Sequence, residues 1–242
     1  PEEARLHLEA AIKIRPDFLV ARNLLARIYL RKGDNAKALK EADDVIALNK
    51  DDVPARLTRS TALMGLGDKE KARLELETVL KLSPNNSDAR YQVGYLAWQD
   101  KDYQRAGKVF EDLYKANPKD LRGLVGITET LASANKMGEA VKVMETSVSQ
   151  APERRDFRLV LANMYVRDQR YDEAVRSYNE LLKLDPKSAD LLIRLAETQR
   201  RKGDVNVAIE TFRRASQAAP ADSAPLLQLA LLLDGTGRRD QA

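Results

Sequence analysis

The chain has 242 residues, of which 43% are hydrophobic and 32% charged, with a formal net charge of +4 and no cysteine. The lack of cysteine excludes disulfides, thiolate metal sites and a cysteine nucleophile. The small net charge, without a dense basic stripe, argues against nucleic acid as a partner. Since no run of 18 apolar residues occurs, we expect no direct membrane insertion by this segment.

A regular period of thirty-four positions runs through the whole chain. It is marked by six prolines and one lysine, at Pro16, Lys50, Pro84, Pro118, Pro152, Pro186 and Pro220. Alanine stands twelve residues before each, at Ala4, Ala38, Ala72, Ala106, Ala140, Ala174 and Ala208, and one more period reaches Ala242. A small residue stands twelve positions before each alanine from Ala38 to Ala242. These small residues are Ala26, Ser60, Gly94, Thr128, Ala162, Ala196 and Ala230. This period is typical of a helix-turn-helix repeat.

Each repeat is predicted to be a pair of antiparallel amphipathic helices. Apolar residues recur at helical spacing, as in Leu25, Ile28 and Tyr29 of one helix. The small residue and the alanine allow two helices to approach closely. The turns between paired helices are predicted at Gly33-Asp34, Gly67-Asp68, Lys101-Asp102, Asn135-Lys136, Gln169-Arg170 and Gly203-Asp204, where the first residue takes the left-handed conformation.

These features resemble the tetratricopeptide repeat family. The family pattern is matched best by Leu161, Ala162, Tyr165, Ala174, Tyr178 and Pro186. The resemblance implies an all-α fold, a right-handed superhelical solenoid of antiparallel helix pairs. In chain order it implies one solenoid over 1–242: the second helix of an incomplete repeat at 1–18, six full repeats at 19–222, and the first helix of an incomplete repeat at 223–242.

The incomplete repeats at both ends predict a segment of a longer repeat protein. A solenoid end without a polar cap exposes an apolar face. We therefore expect uncovered apolar surface at Leu226, Leu229, Leu232 and Leu233, and self-association through the uncapped ends.

The family resemblance also places a candidate binding groove on the first helices, which line the concave face. Counting repeat positions gives the candidate peptide-binding residues Asn23, Arg27, Arg31, Leu57, Met64, Tyr91, Gln92, Tyr95, Trp98, Val125, Glu129, Asn163, Arg167, Arg194, Glu197, Arg200 and Arg201. Tyr91, Tyr95 and Trp98 share one helix face, so they favour either a hot-spot pocket for a peptide or simple packing between first helices.

No catalytic, cofactor or metal motif accompanies this groove. The single histidine, His7, has no second ligand or nucleophile near it in the sequence. We therefore predict a non-enzymatic scaffold that binds a protein or peptide, from a bacterial envelope assembly, secretion or polysaccharide-export factor. The alternative is a regulatory or substrate-recruiting array of an enzyme whose catalytic domain lies elsewhere. The sequence does not decide between the bacterial cytoplasm and the periplasm.

Overall fold

The structure, a computed structural model, describes residues 2–237. These residues form α-helices joined by short turns, without a strand among them. They fall into two compact units, unit 1 up to Thr130 and unit 2 from Leu131 onward. The all-α helix-pair fold predicted from the period is confirmed.

The helices alternate regularly along the chain. Those that begin in unit 1 are α1 (Glu2–Ile14), α2 (Leu19–Arg31), α3 (Asn35–Leu48), α4 (Val53–Gly65), α5 (Lys69–Leu82), α6 (Ser87–Gln99), α7 (Tyr103–Ala116) and α8 (Leu121–Ser133). Those of unit 2 are α9 (Met137–Gln150), α10 (Arg155–Arg167), α11 (Tyr171–Leu184), α12 (Ala189–Lys202), α13 (Val205–Ala218) and α14 (Ala224–Gly235). Within each unit, neighbouring helices pack on one another, as α2 does on α3 and α12 on α13.

The predicted turns are confirmed at all six positions. Their first residues have positive φ angles, at Gly33, Gly67, Lys101, Asn135, Gln169 and Gly203. Lys101 and Gln169 reach φ values of 63° and 61° despite their Cβ atoms. The left-handed residue ends the first helix of a pair and reverses the chain direction.

Aspartate side chains start three of the second helices. Asp34, Asp68 and Asp102 accept hydrogen bonds from the backbone N–H three residues later, at 3.3, 3.2 and 3.1 Å. Asp52 and Asn86 cap the first helices α4 and α6 in the same way, both at 2.9 Å. These caps satisfy backbone donors that a helix leaves without an internal partner.

The recurring alanines lie at the closest helix contacts. Ala38, Ala72, Ala106, Ala140, Ala174 and Ala208 are fully buried. Ser60 donates a hydrogen bond to the carbonyl of Ala72 at 3.4 Å, so the small residue and the alanine of one repeat do meet. Ala4 differs because it is exposed, as no helix precedes α1 in the described residues to cover it. Ala242 lies outside the described residues.

The expectation of uncovered apolar surface on α14 is wrong for two of the four leucines that it named. Leu229 and Leu233 are buried in a cluster with Ile209 and Phe212 of α13. Leu226 is exposed, as expected. The difference arises because α13 covers the face of α14 that carries Leu229 and Leu233.

Candidate interaction groove

Unit 1 contains an open cavity between its first helices, called here the unit 1 groove. Its volume is about 800 Å³. The lining comes from α2, α4, α6, α8 and the cap of α6: Arg27, Leu30, Val53, Pro54, Leu57, Thr58, Thr61, Met64, Asn86, Asp88, Tyr91, Gln92, Tyr95 and Arg122. Six of the candidate residues therefore line one cavity: Arg27, Leu57, Met64, Tyr91, Gln92 and Tyr95.

One wall of the groove is aromatic. The rings of Tyr91 and Tyr95 stack at 6.5 Å between centroids, and those of Tyr95 and Trp98 stack at 5.7 Å. Tyr91 also contacts the buried ring of Phe110 at 5.8 Å, which anchors this row of rings to the core. Tyr95 is 37% exposed, so its ring presents apolar area to a bound chain.

Trp98 is half-buried and stacks on Tyr95, but it does not line the cavity. Together with Tyr91 it packs against the core cluster of Ala97, Ala106, Phe110 and Leu113. Tyr95 therefore lines the cavity, whereas Trp98 packs against the core cluster.

The groove carries two guanidinium groups with different surroundings. Arg122 binds Asp120 at 2.7 Å and Asp88 at 2.6 Å, and its guanidinium lies 5.5 Å from the centroid of the Tyr91 ring. Hydrogen bonds from Arg122 lower the pKa of Asp120, and Asp120 in turn raises the pKa of Arg122. Arg27 is exposed and forms no ion pair within the described residues.

Two amide side chains of the first helices, Gln92 in the lining of the groove and Asn23 outside it, have buried oxygen atoms. Gln92 donates from Nε2 to the carbonyl of Leu57 at 3.4 Å, and Asn23 donates from Nδ2 to Asp52 at 3.2 Å. These bonds fix the amide orientations, since a flip would bring oxygen against oxygen. Oε1 of Gln92 and Oδ1 of Asn23 are buried and receive no hydrogen bond from any residue of the range 2–237.

The remaining candidates of unit 1 do not line this cavity. Arg31 is exposed and lines a second cavity of about 680 Å³, with His7 and Leu8, that adjoins the unit 1 groove at Arg27 and Leu30. Val125 and Glu129 are half-buried on α8.

The candidates of unit 2 form local contacts. Asn163 accepts a hydrogen bond from the hydroxyl of Tyr178 at 2.7 Å. Arg194 binds Asp190 at 2.9 Å, and Glu197 binds Arg200 at 2.8 Å. Arg167 and Arg201 are exposed.

Asp88 lines the groove, although it is not among the candidate residues predicted from the sequence. It lies one full repeat before Arg122, so the two residues occupy the same position in successive repeats. Opposite charges at equivalent positions were the signal for this ion pair, because equivalent residues of adjacent first helices are neighbours.

Residues 2–237 contain no group of three or more histidine, aspartate or glutamate side chains arranged to hold a metal ion. Within the same range, every helix is too short or too polar to cross a membrane.

The comparison with protein families gives one description over most of the chain. Sequence models of the tetratricopeptide repeat match residues 1–55, 57–120, 130–177 and 159–223. A comparison with curated protein sequences gives no match.

Solved structures show the same fold at low sequence identity. A tetratricopeptide repeat protein from Parabacteroides merdae aligns over 95% of this chain and 91% of its own, with 19% identity and a TM-score of 0.66. Yeast Tom70 aligns over 99% of this chain and 52% of its own, with 18% identity and a TM-score of 0.76. The APC/C hetero-tetramer Cut9-Hcn1 aligns over 96% of this chain and 46% of its own, with 15% identity and a TM-score of 0.61.

This chain spans about half the length of the Tom70 and Cut9-Hcn1 chains. The repeats indicate a protein-interaction scaffold, and proteins of this fold are generally non-catalytic.

Proposed function

Because the chain belongs to the tetratricopeptide repeat family, we propose that it binds an extended segment of a protein partner in the unit 1 groove. The observation that carries this proposal is the cavity of about 800 Å³ between the first helices, with an aromatic wall and the exposed Arg27 at one side. Concave sites with apolar walls and a few convergent polar groups are typical of ligand sites.

The walls favour a segment with apolar side chains. Leu57 and Met64 of α4 line the same cavity as Tyr95 of α6, so a side chain of the partner would contact aliphatic and aromatic carbon together. Aromatic anchors in such pockets contribute a large share of binding energy. Methionine adapts its shape readily to different partners.

The charges favour a particular direction of the bound segment. Arg27 stands at the α2 side of the groove without an ion pair to any described residue, so an acidic residue of the partner would bind there. Arg122 on α8 is already neutralised by Asp88 and Asp120. A segment whose acidic end faces α2 therefore fits the groove better than the reverse orientation.

Panning of displayed random peptides on the purified chain tests this proposal. Selected peptides should be apolar with an acidic residue at one end, and their affinity can be measured by calorimetry. Tyr95→Ala should weaken binding of the selected peptide at least tenfold, which corresponds to about 1.4 kcal/mol. Tyr103→Ala, a half-buried tyrosine at the start of α7 outside the groove, is the matched control.

Two results would contradict the proposal. One is equal loss of affinity in the two tyrosine variants. The other is that the selected peptides bind the Tyr95→Ala and Arg27→Gln variants with the same affinity as the wild type.

The pathway is a separate proposal. Its support is the regular repeats rich in alanine, leucine and arginine, which suggest a bacterial envelope assembly, secretion or polysaccharide-export factor. Co-purification of envelope components with the chain, lost in Tyr95→Ala, is the expected result.

A further inference from the structure

An arginine recurs at the same position of three successive first helices in unit 1. These residues are Arg22, Arg56 and Arg90, each separated from the next by one full repeat. In all three, Nε donates a hydrogen bond to the carbonyl six residues earlier, at 2.7, 2.8 and 3.2 Å. The backbone therefore holds the three guanidinium groups in equivalent orientations.

The first two arginines bind a glutamate from the second helix of their own repeat. Arg22 binds Glu41 at 2.6 Å, and Arg56 binds Glu75 at 2.7 Å. The two glutamates stand at the same distance along the chain from their arginines, so they too occupy equivalent repeat positions. The exposed fraction of these four side chains is between 9% and 14%, so the carboxylates are almost enclosed.

The third repeat lacks this glutamate. The residue equivalent to Glu41 and Glu75 in the repeat of Arg90 is Val109. Nη2 of Arg90 binds Oδ1 of Asn85 at 2.9 Å, but no carboxylate of the described residues lies within ion-pair distance of Arg90. Asp112 corresponds to Asp44, which Arg22 also binds at 2.8 Å, yet Asp112 makes no such pair with Arg90.

A cavity of about 410 Å³ opens at this place, between α5, α6 and α7. Its lining is Leu80, Arg90, Val93, Val109 and Asp112. Helical spacing puts Arg90 and Val93 on the opposite side of α6 from Tyr91 and Tyr95. The cavity is therefore distinct from the unit 1 groove, with which it shares no lining residue.

We propose that this cavity binds a glutamate side chain of a protein partner, in the role that Glu41 and Glu75 fill internally in the two preceding repeats. Nη1 of Arg90 binds the carboxylate, because Arg22 and Arg56 hold their glutamates through the same nitrogen. Nε and Nη2 of Arg90 keep their hydrogen bonds to Pro84 and Asn85. The glutamate methylenes pack against Val93 and Val109. An acidic partner segment thereby docks on the face of α6 that the groove does not use.

A nuclear magnetic resonance titration of the ¹⁵N-labelled chain tests this proposal. The probe is a blocked peptide with one glutamate between leucines, compared with the same peptide carrying glutamine. The glutamate peptide should shift the amide signals of Val93 and Val109 and the side-chain Nε–H signal of Arg90. Arg90→Gln should weaken the interaction about tenfold or more.

Val109→Glu is the sharper variant because it rebuilds the internal pair of the preceding repeats. It should close the site to the peptide while keeping or raising the melting temperature. Any of three binding results would overturn the proposal: equal shifts from the glutamine peptide, equal shifts from inorganic phosphate at the same concentration, or peptide binding retained in Val109→Glu. A Val109→Glu chain that melts below the wild type would also overturn it, because the carboxylate would then not fit beside Arg90.

Discussion

The ring of Phe110 on α7 occupies space that Gly126 leaves open on α8. A Cβ atom on Gly126 would overlap the ring carbons Cγ and Cδ1 of Phe110. A second glycine, Gly94 on α6, faces the same ring, and a Cβ atom there would lie 2.7 Å from Cε1. Phe110 is 3% exposed and contacts Tyr91, so its ring supports the aromatic wall of the groove. The two glycines leave the space that this ring fills.

Gly126→Ala should therefore lower the stability of unit 1. A methyl group at this place forces the Phe110 ring to move, and overpacking of this kind costs about 1–3 kcal/mol. The gain in helix propensity, about 1 kcal/mol, offsets only part of this cost. Chemical denaturation followed by circular dichroism measures the difference.

Gly107→Ala is the matched control for this prediction. A Cβ atom on Gly107, inside α7, would meet only Cγ2 of Thr130 at 3.9 Å, an ordinary contact. This variant should be stabilised by roughly 0.5–1 kcal/mol. Equal effects of the two substitutions would mean that the Phe110 ring does not fill the space beside Gly126.

The left-handed residues at the turns give a second prediction. Lys101 has a φ of 63°, which a side chain with a Cβ atom adopts at a cost of roughly 1 kcal/mol. Lys101→Gly should relieve this cost and raise the midpoint of denaturation. Lys32→Gly should lower it, because Lys32 has a φ of −87°, so glycine there adds freedom to the unfolded chain, and the substitution also removes the ion pair of Lys32 with Glu2.

The turns could be predicted from the sequence because a period fixes equivalent positions. Lys101 and Gln169 adopt the conformation of Gly33 although neither is a residue that favours it. The close helix contacts followed from the same period, as Ser60 and Ala72 show. Local residue preference alone would have missed both features.

Periodicity gives the face of a residue but not its depth. Tyr95 and Trp98 share a face of α6, yet only Tyr95 lines the groove. The burial of Trp98 depends on the cluster around Phe110, and the ring of Phe110 fits there only because residues 94 and 126 are glycines. Likewise, the significance of Val109 beside Arg90 appears only once the Arg22–Glu41 pair is known.

The ion pair at the start of α8 predicts a specific dependence of stability on pH. Arg122 holds the pKa of Asp120 below its ordinary value of 3.8. A carboxyl group with a lowered folded-state pKa stabilises the fold above its unfolded pKa, and loses this contribution as the pH falls through the folded value. Asp120 therefore stabilises unit 1 at neutral pH and ceases to do so in strong acid.

Asp120→Asn should accordingly lower stability by about 0.5–1 kcal/mol at pH 7. The difference from the wild type should shrink below about pH 4 and vanish at still lower pH. Glu77→Gln, at an exposed carboxylate of α5, is the control and should change stability little at neutral pH. A difference that stays constant from pH 7 to strong acid would show that Asp120 acts through its shape and not its charge.

The last prediction separates binding from packing among the rings of α6. Tyr95 is 37% exposed and faces the groove, whereas Trp98 packs against the cluster around Phe110. Tyr95→Ala should weaken binding of a selected peptide while the free energy of unfolding changes by less than about 1 kcal/mol. Trp98→Ala should lower that free energy by about 2 kcal/mol or more, since it opens space beside the core.

Trp98 is the only tryptophan, and its ring stacks on Tyr95, so peptide binding should change its fluorescence without any label. A peptide that binds without changing this emission, and with equal affinity for wild type and Tyr95→Ala, would place the binding site outside the unit 1 groove.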